Sequence, residues 1–525
     1  MAPESYEAKP LPRQLKDQVQ IYFEEQLYTF GLTLLNNVLA SGASSEQCSC
    51  EPRPVPPPQF LGFICNLIVH PRTTSRADTL EARHAATQAQ VYLENLLHMV
   101  GPIGSRFSQA FRFKPQNNRR QRGAFVPEST SGSSDLDEDD AVGGTTATLW
   151  TSSPDFWSVV GWALNCSVAH PGRWEYWHPW LELMIDIILE DWYYYCDASV
   201  EFDHEVRMEI LRRSMLLMYI SDKGGRNSNG FKWVRKAIFA DGKGGSASIF
   251  QEVFPNETKG VSRPQTKRKR NQTMELGKNQ FGDYDSDENC DLSMMESDTI
   301  NPLDDGSESF DNSELDKEEV DLYIESIPVR IKLISMLSHA AAILETEFVS
   351  VDSFYEDICR EMRQHPFAIF QVFVSFTATS MQFPQYIYMM RELFDQLLPP
   401  NCMQPSDIDE AAEVAGSITQ EILEECYLQQ PAATVTYRDN AQLQLLCEQT
   451  IIALNSERMV FCTQSLLQAA EKGTAVRMKR VKHPRGHKRG LSMSDQAAKE
   501  YLEQAPARMK FILENIDKEK ATTHE

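Results

Sequence analysis

The 525-residue chain reads as all-α, and three observations carry that reading. Apolar residues recur at helical spacing through most of the chain. Strand-type alternation is almost missing, and Pro and Gly punctuate segments of helical length. One helical sentence is also written twice: GFICNLIVHPR (Gly62 to Arg72) can be laid beside GWALNCSVAHPGR (Gly161 to Arg173), each an apolar helix stopped by His-Pro. In an all-helical chain such repetition favours stacked helical pairs, here an irregular HEAT- or armadillo-like repeat interrupted by two long disordered, charged insertions.

Leu15, Val19, Tyr22, Leu27, Phe30, Leu34 and Val38 fall close to one face, so residues 13–39 read as a single amphipathic helix. A Ser/Pro-rich loop follows, then a short apolar helix from Phe60 to Val69. It stops at His70-Pro71, because proline pushes the preceding residue out of helical space. A longer helix over 77–100 ends at Gly101-Pro102. Together these form an N-terminal block, 1–114, and residues 115–147, low in aliphatic content, read as a disordered linker.

The next block, 148–242, holds most of the tryptophans. Trp157, Val160, Leu164 and Val168 share one face of a helix that ends at His170-Pro171-Gly172. Pro179 suits a first helical turn, so a second helix is expected to open there, with Trp180, Leu181, Met184, Ile187 and Ile188 on one face and Glu182, Asp186 and Glu190 in a stripe. A helix apolar around most of its circumference belongs in a core. The competing reading is an aromatic recognition surface, with Trp174, Tyr176 and Trp177 exposed on the connecting turn.

Residues 243–320 read as a disordered insertion, basic and then acidic. Between Lys223 and Lys278 there are thirteen Lys/Arg against four Asp/Glu, and between Asp283 and Glu325 seventeen Asp/Glu against one Lys. Blocks of opposite sign can fold onto one another or stay solvated as separate linker halves. Within the basic block, NGFKWVRKAIF (Asn229 to Phe239) is a basic amphipathic helix, either docked on the core or touching nucleic-acid phosphates. Lys267, Arg268, Lys269 and Arg270 form a cluster that an import receptor can read. At the acidic end, Val320, Leu322 and Ile324 resemble a SUMO-interacting strand flanked by acids; the start of the next helix explains the same residues.

Helices resume over 321–472, and 473–525 is a basic tail with a short helix near 499–515. The tail carries a second import-like cluster that includes Lys479, Arg480, Lys482, Lys488 and Arg489. Ser134 and Ser313, each with an acid three residues on, and Ser492, which follows basic residues, are candidate phosphorylation sites. The run from Pro366 to Met390 is long enough to span a bilayer, but three Gln, several Ser/Thr and Pro384 assign it to buried helices instead.

Charge and cysteine usage narrow the function. Lys and Arg total 51 against 75 Asp and Glu, a net charge of -24 that repels nucleic acid and anionic membrane except where cations cluster. Eleven scattered cysteines suit reduced, buried thiols, and the N-terminus has no apolar leader, so cytosol or nucleus is expected. Phosphate-binding, dinucleotide-binding, nucleophile-elbow, zinc-protease and Cys-x-x-Cys patterns are all missing, and no cofactor is expected. What remains is a non-catalytic nuclear scaffold or adaptor of a larger complex, in chromatin maintenance, DNA repair or chromosome segregation, its partners other protein subunits and an import receptor. The alternatives are direct nucleic-acid binding through the basic clusters, or ribosome and RNA-processing assembly.

Overall fold

The computed structural model describes residues 8–41, 52–113, 148–221, 228–259, 316–344, 347–481 and 492–522. Of these, 75% are helical. Strand is confined among the described residues to one parallel pair, β1 (Ala8–Pro10) with β2 (Arg53–Val55). Many helix starts are fixed by their own side chains: Thr79, Asp155, Asp203, Ser350, Thr436, Thr463 and Ser492 each accept from the backbone N–H three residues on. Each such contact satisfies a donor that a helix start would otherwise leave open.

The single helix expected over 13–39 is two, α1 (Arg13–Glu24) and α2 (Tyr28–Ser41). Gln26 turns into left-handed space at φ 59°, and Leu27 N–H closes the turn on the Tyr22 carbonyl at 2.7 Å. Periodicity missed the break because both helices bury their apolar faces in the same core. A hairpin follows, α3 (Pro58–Val69) against α4 (Leu80–Ser105), and α4 kinks at Gly101, φ 77°, where its end was expected. The second hairpin is α5 (Phe156–Ala169) with α6 (Pro171–Ser199), and α4 lies on α6.

Three short helices, α7 (His204–Leu211), α8 (Met215–Ser221) and α9 (Ser228–Ile238), bring the chain back to α5, and α10 (Lys317–Ile343) crosses both α5 and α6. Then come α11 (Val351–Gln364), α12 (Phe367–Phe373), α13 (Phe383–Leu397), α14 (Tyr437–Ser456), α15 (Gln464–Arg480), α16 (Met493–Glu503) and α17 (Ala505–Thr522). Helix α14 is the centre of this last group and touches α12, α13, α15, α16 and α17. One contiguous apolar cluster runs from Leu11 to Ile516, so the helical blocks share a core. The Pro366 to Met390 run is broken into α12, a 3-10 turn and the start of α13 with Pro384 in its first turn. No helix among the described residues is long and apolar enough to cross a membrane.

The repeated sentence has a structural counterpart finer than the shared His-Pro stop. In α3, Gly62 is a notch: a Cβ there would stand 2.9 Å from the Ala110 carbonyl and 3.3 Å from the Trp150 indole nitrogen. One turn on, buried Asn66 accepts from Leu149 N–H at 2.8 Å. In α5, Gly161 is filled by the Phe250 ring, and buried Asn165 accepts from Gly242 N–H at 2.7 Å and donates to the Phe250 carbonyl at 3.3 Å. In both helices, glycine admits an aromatic from a later segment and the asparagine four residues on holds that segment's backbone. Satisfying backbone groups that would be costly to bury unpaired is what the asparagines contribute.

The carboxyl of Asp191, on α6, is 1% exposed and accepts from Met215 N–H at 2.6 Å, fixing the start of α8. Burial pushes it up to about 7, against the lowering effect of that N–H. The folded chain thus keeps a proton that the unfolded chain releases near pH 4. Its contribution to stability is full below about pH 4 and is lost as pH rises toward 7, by about 1.4 kcal/mol per pH unit where the slope is steepest. Asp191→Asn keeps the acceptor and removes the titration. The difference in urea midpoint between variant and parent is therefore expected to grow in the variant's favour from pH 4 to pH 7; a constant difference would show that Asp191 is already ionised in the fold.

Candidate interaction surface

The tryptophan stretch is core. Trp157, Trp177, Trp180 and Trp192 are fully buried, and the indoles of Trp157, Trp180 and Trp192 donate to the Tyr219 carbonyl, the Cys65 thiol and the His339 imidazole. The expected turn between His170 and Pro179 does not exist. Helix α6 opens at Pro171, where the missing N–H costs nothing, and runs through Pro179. The Glu175 carbonyl that Pro179 leaves without a helical donor belongs to an exposed residue, so water can serve it. Trp174 and Trp177 are consequently inside the protein, at 6% and 0% exposure, and Tyr176 is half-buried; they form no recognition surface.

The same turn hides a residue that the pattern of apolar side chains could not flag. Arg173 is buried and joins three segments: it donates to the Val69 carbonyl at 2.6 Å, to Thr74 Oγ1 at 2.8 Å and to Glu257 Oε2 at 2.9 Å. Glu257, also buried, accepts from Val253 and Phe254 N–H. Burial raises its carboxyl pKa, and Arg173 opposes that rise. Residues 243–259 are therefore ordered, with a short helix at Gly244–Ile249, where a disordered insertion was expected from 243.

Helix α9, the basic amphipathic segment, is docked. Phe231, Val234 and Ile238 are buried, and Arg235 pairs with Asp357 at 2.8 Å and Glu361 at 3.3 Å on α11. Val320, Leu322 and Ile324 lie in the first turns of α10, with Val320 and Ile324 against the core. They are helix and not strand, because Asp316 and Glu319 cap each other's backbone N–H and commit the segment. The acid stripe on α6 meets Lys332 of α10, 3.7 Å from Glu182 and 3.9 Å from Asp186. Lys479 and Arg480 are exposed at the end of α15, and Ser492 caps α16, its hydroxyl accepting from Asp495 N–H at 3.1 Å. Arg477, which opens that basic cluster in sequence, is buried. Ser134, Lys267 to Arg270, Ser313, Lys482, Lys488 and Arg489 lie outside the described residues.

A cleft of about 300 Å³ sits at the first His-Pro corner, between the start of α2, the end of α3 and the start of α4. Phe63, Leu67 and Ala85 form an apolar floor, with Tyr28 packed on Phe63 at 5.7 Å between centroids. His70 forms one wall: its Nδ1 accepts from Arg72 N–H at 3.2 Å, and burial, then Arg72 and Arg173, push the imidazole down to about 4. It is neutral at ordinary pH. Asp78, Glu81 and Arg72 rim the opening, and Thr29 steadies Glu81 at 3.2 Å. Leu27, Phe30 and Leu80, which flank the lining residues Gln26, Tyr28, Thr29, Thr79 and Glu81 in sequence, are exposed, Leu80 by 83%. An apolar floor, a polar rim and exposed apolar neighbours suit an inserted partner side chain. A second, more open cleft between α11 and α13 is lined by charged side chains and Gln396, with Asp395 pushed up to about 6 by burial and then by Glu392. Among the described residues no cluster of His, Cys, Asp and Glu is placed to hold a metal.

The sequence matches no protein-family model, and no curated protein aligns with it significantly.

Proposed function

We propose that this chain is a non-catalytic nuclear scaffold or adaptor, acting through protein contacts inside a larger assembly such as those of chromatin maintenance, DNA repair or chromosome segregation. The observation that carries the reading is the first-corner cleft, whose apolar floor offers a partner an anchor pocket, with Phe30 and Leu80 exposed on the two helices whose starts line it. Nuclear residence rests on the clusters at Lys267 to Arg270 and Lys479 to Arg489. The neutral His70 at the wall supplies shape and hydrogen bonding to such an anchor.

Direct nucleic-acid binding is the second reading, favoured by exposed Lys479 and Arg480 leading into the tail cluster. Purification of the tagged protein from nuclear extract, with and without nuclease, separates the two. On the scaffold reading, stoichiometric partners survive nuclease and are lost from a Phe30→Asp/Leu80→Asp variant that keeps its helical circular dichroism. Partners that vanish with nuclease and persist on the variant would transfer the function to the basic clusters, with affinity falling steeply in salt.

A further inference from the structure

The last two turns of α6 face two ways. Trp192, Cys196 and Ser199 are buried, whereas Tyr193, Tyr194, Asp197 and Val200 are exposed. The outward side of a surface helix is ordinarily polar. Here it is aromatic, and the apolar surface continues beyond the helix through Phe202, 53% exposed, to Val206 on α7. Five large apolar side chains are exposed within fourteen residues, a density of the kind that marks an interaction site, and Tyr and Phe are suited to anchor one.

The charges around the patch say what covers it. Asp197, Glu201, Asp203 and Glu205 are all exposed, and none has an ion-pair partner among the described residues. Asp203 spends one oxygen on Val206 N–H, capping α7, and keeps the other free of described partners. Of the nearby cations, Arg212 pairs with Glu347 at 2.6 Å, Arg213 lies 3.9 Å from Glu209 with both side chains exposed, and Arg207 is half-buried, so acids outnumber bases along 197–213. His204 is the remaining basic group there, exposed between Asp203 and Glu205. Helix α6 ends and α7 begins at this spot, so their terminal dipoles oppose each other and the exposed carboxylates set the sign of the potential.

We propose that the end of α6 and the start of α7 form a second docking surface, and that its occupant is a cationic amphipathic helix of a partner protein. Apolar side chains of that helix pack on Tyr193, Tyr194 and Phe202, and its Lys or Arg residues meet Asp197, Glu201 and Glu205. Packing of an amphipathic helix face on exposed aromatics, with complementary charge around them, gives both the anchor and the orientation. This surface extends the adaptor reading but does not depend on the first-corner cleft.

The test uses the full chain and a fluorescein-labelled 14-residue Leu/Lys amphipathic peptide, read by anisotropy, with a Leu/Glu peptide of the same pattern beside it. Tyr194→Ser/Phe202→Ser is expected to weaken the cationic peptide at least tenfold, as is Asp197→Lys/Glu201→Lys. A charge reversal at Glu421 and Glu471, exposed acids on the C-terminal helices, is expected to stay within twofold. Unfolding midpoints of all variants confirm that the surface substitutions leave the fold intact. If the serine variant binds like the parent, or if the distant reversal weakens binding as much as the local one, attraction is to net charge alone and the proposal fails; equal binding of the Leu/Glu peptide would also overturn it.

Discussion

Replacing Arg173 by methionine is expected to lower unfolding free energy by about 3 to 5 kcal/mol, the usual cost of breaking a buried ion pair from one side. The reason lies less in the attraction lost than in what is left behind. Glu257 would stay buried with two backbone donors and no counter-charge, and the Val69 carbonyl and Thr74 hydroxyl would lose their donor. Because Arg173 ties α6 to residues 69–74 and to 253–257, the loss falls on three segments at once.

Two further measurements identify the cause. Arg173→Met/Glu257→Met should recover most of the lost stability, since two methionines leave no orphan charge. In the single variant the Glu257 carboxyl, already raised by burial, loses the guanidinium that lowers it and rises further. A raised carboxyl contributes stability that is lost as pH increases, so the single variant should be closest to the parent in acid and fall away from it toward pH 8. A pH-independent deficit in urea midpoint, unrelieved by the double substitution, would mean that Arg173 serves mainly as packing.

The second large effect is expected at Gly473. A Cβ there would overlap the Leu428 carbonyl, which ends a π-helical turn (Leu423–Leu428) and is held against α15 by Arg477 at 2.9 Å. Overpacking against a side chain usually costs about 1–3 kcal/mol, because the side chain can rotate away. A carbonyl in a packed turn cannot, so Gly473→Ala should cost about 3 kcal/mol or more and loosen the fit of α15 on the turn before it. Gly172→Ala is the matched control: nothing lies within 4 Å of its Cβ position, it is exposed in the first turn of α6, and alanine should leave stability unchanged or raise it by up to about 1 kcal/mol. Thermal unfolding of the two variants beside the parent decides the point. Similar midpoints for both would show that the α15 contact is pliant.

The helices were legible because their causes are local. His-Pro after Val69 and Ala169 reads as a stop and is one, and the apolar run that imitates a membrane span is divided as expected, with Pro384 in the first turn of its second helix. The tryptophans were legible as core from apolar residues spread around most of α6. Proline was also the main source of error. Pro179 reads as a helix start, yet α6 continues through it, since one unmade bond at an exposed carbonyl is a small loss for a helix packed on six others.

The candidate surfaces were scarcely legible. Leu27, Phe30 and Leu80 carry the same helical signal whether they face core or water, and only the tertiary structure, with the Gln26 turn that periodicity does not see, shows them exposed. Tyr193 and Tyr194 read as part of the apolar helix, and nothing in their spacing says that in the last two turns of α6 only the side bearing Trp192, Cys196 and Ser199 is covered.

By itself, then, the sequence determined an all-helical chain, the His-Pro ends of two of its helices, a largely apolar tryptophan helix and a segregated charge pattern, because propensity, proline geometry and composition act over a few residues. The tertiary structure alone decided which apolar residues stay outside, which arginine becomes a buried clasp and which becomes a surface cation, and why Gly62 and Gly161 recur with Asn66 and Asn165 four residues on. Those outcomes depend on segments about ninety residues away that fill a notch, cover a face or supply a counter-charge, and no window of local sequence contains them.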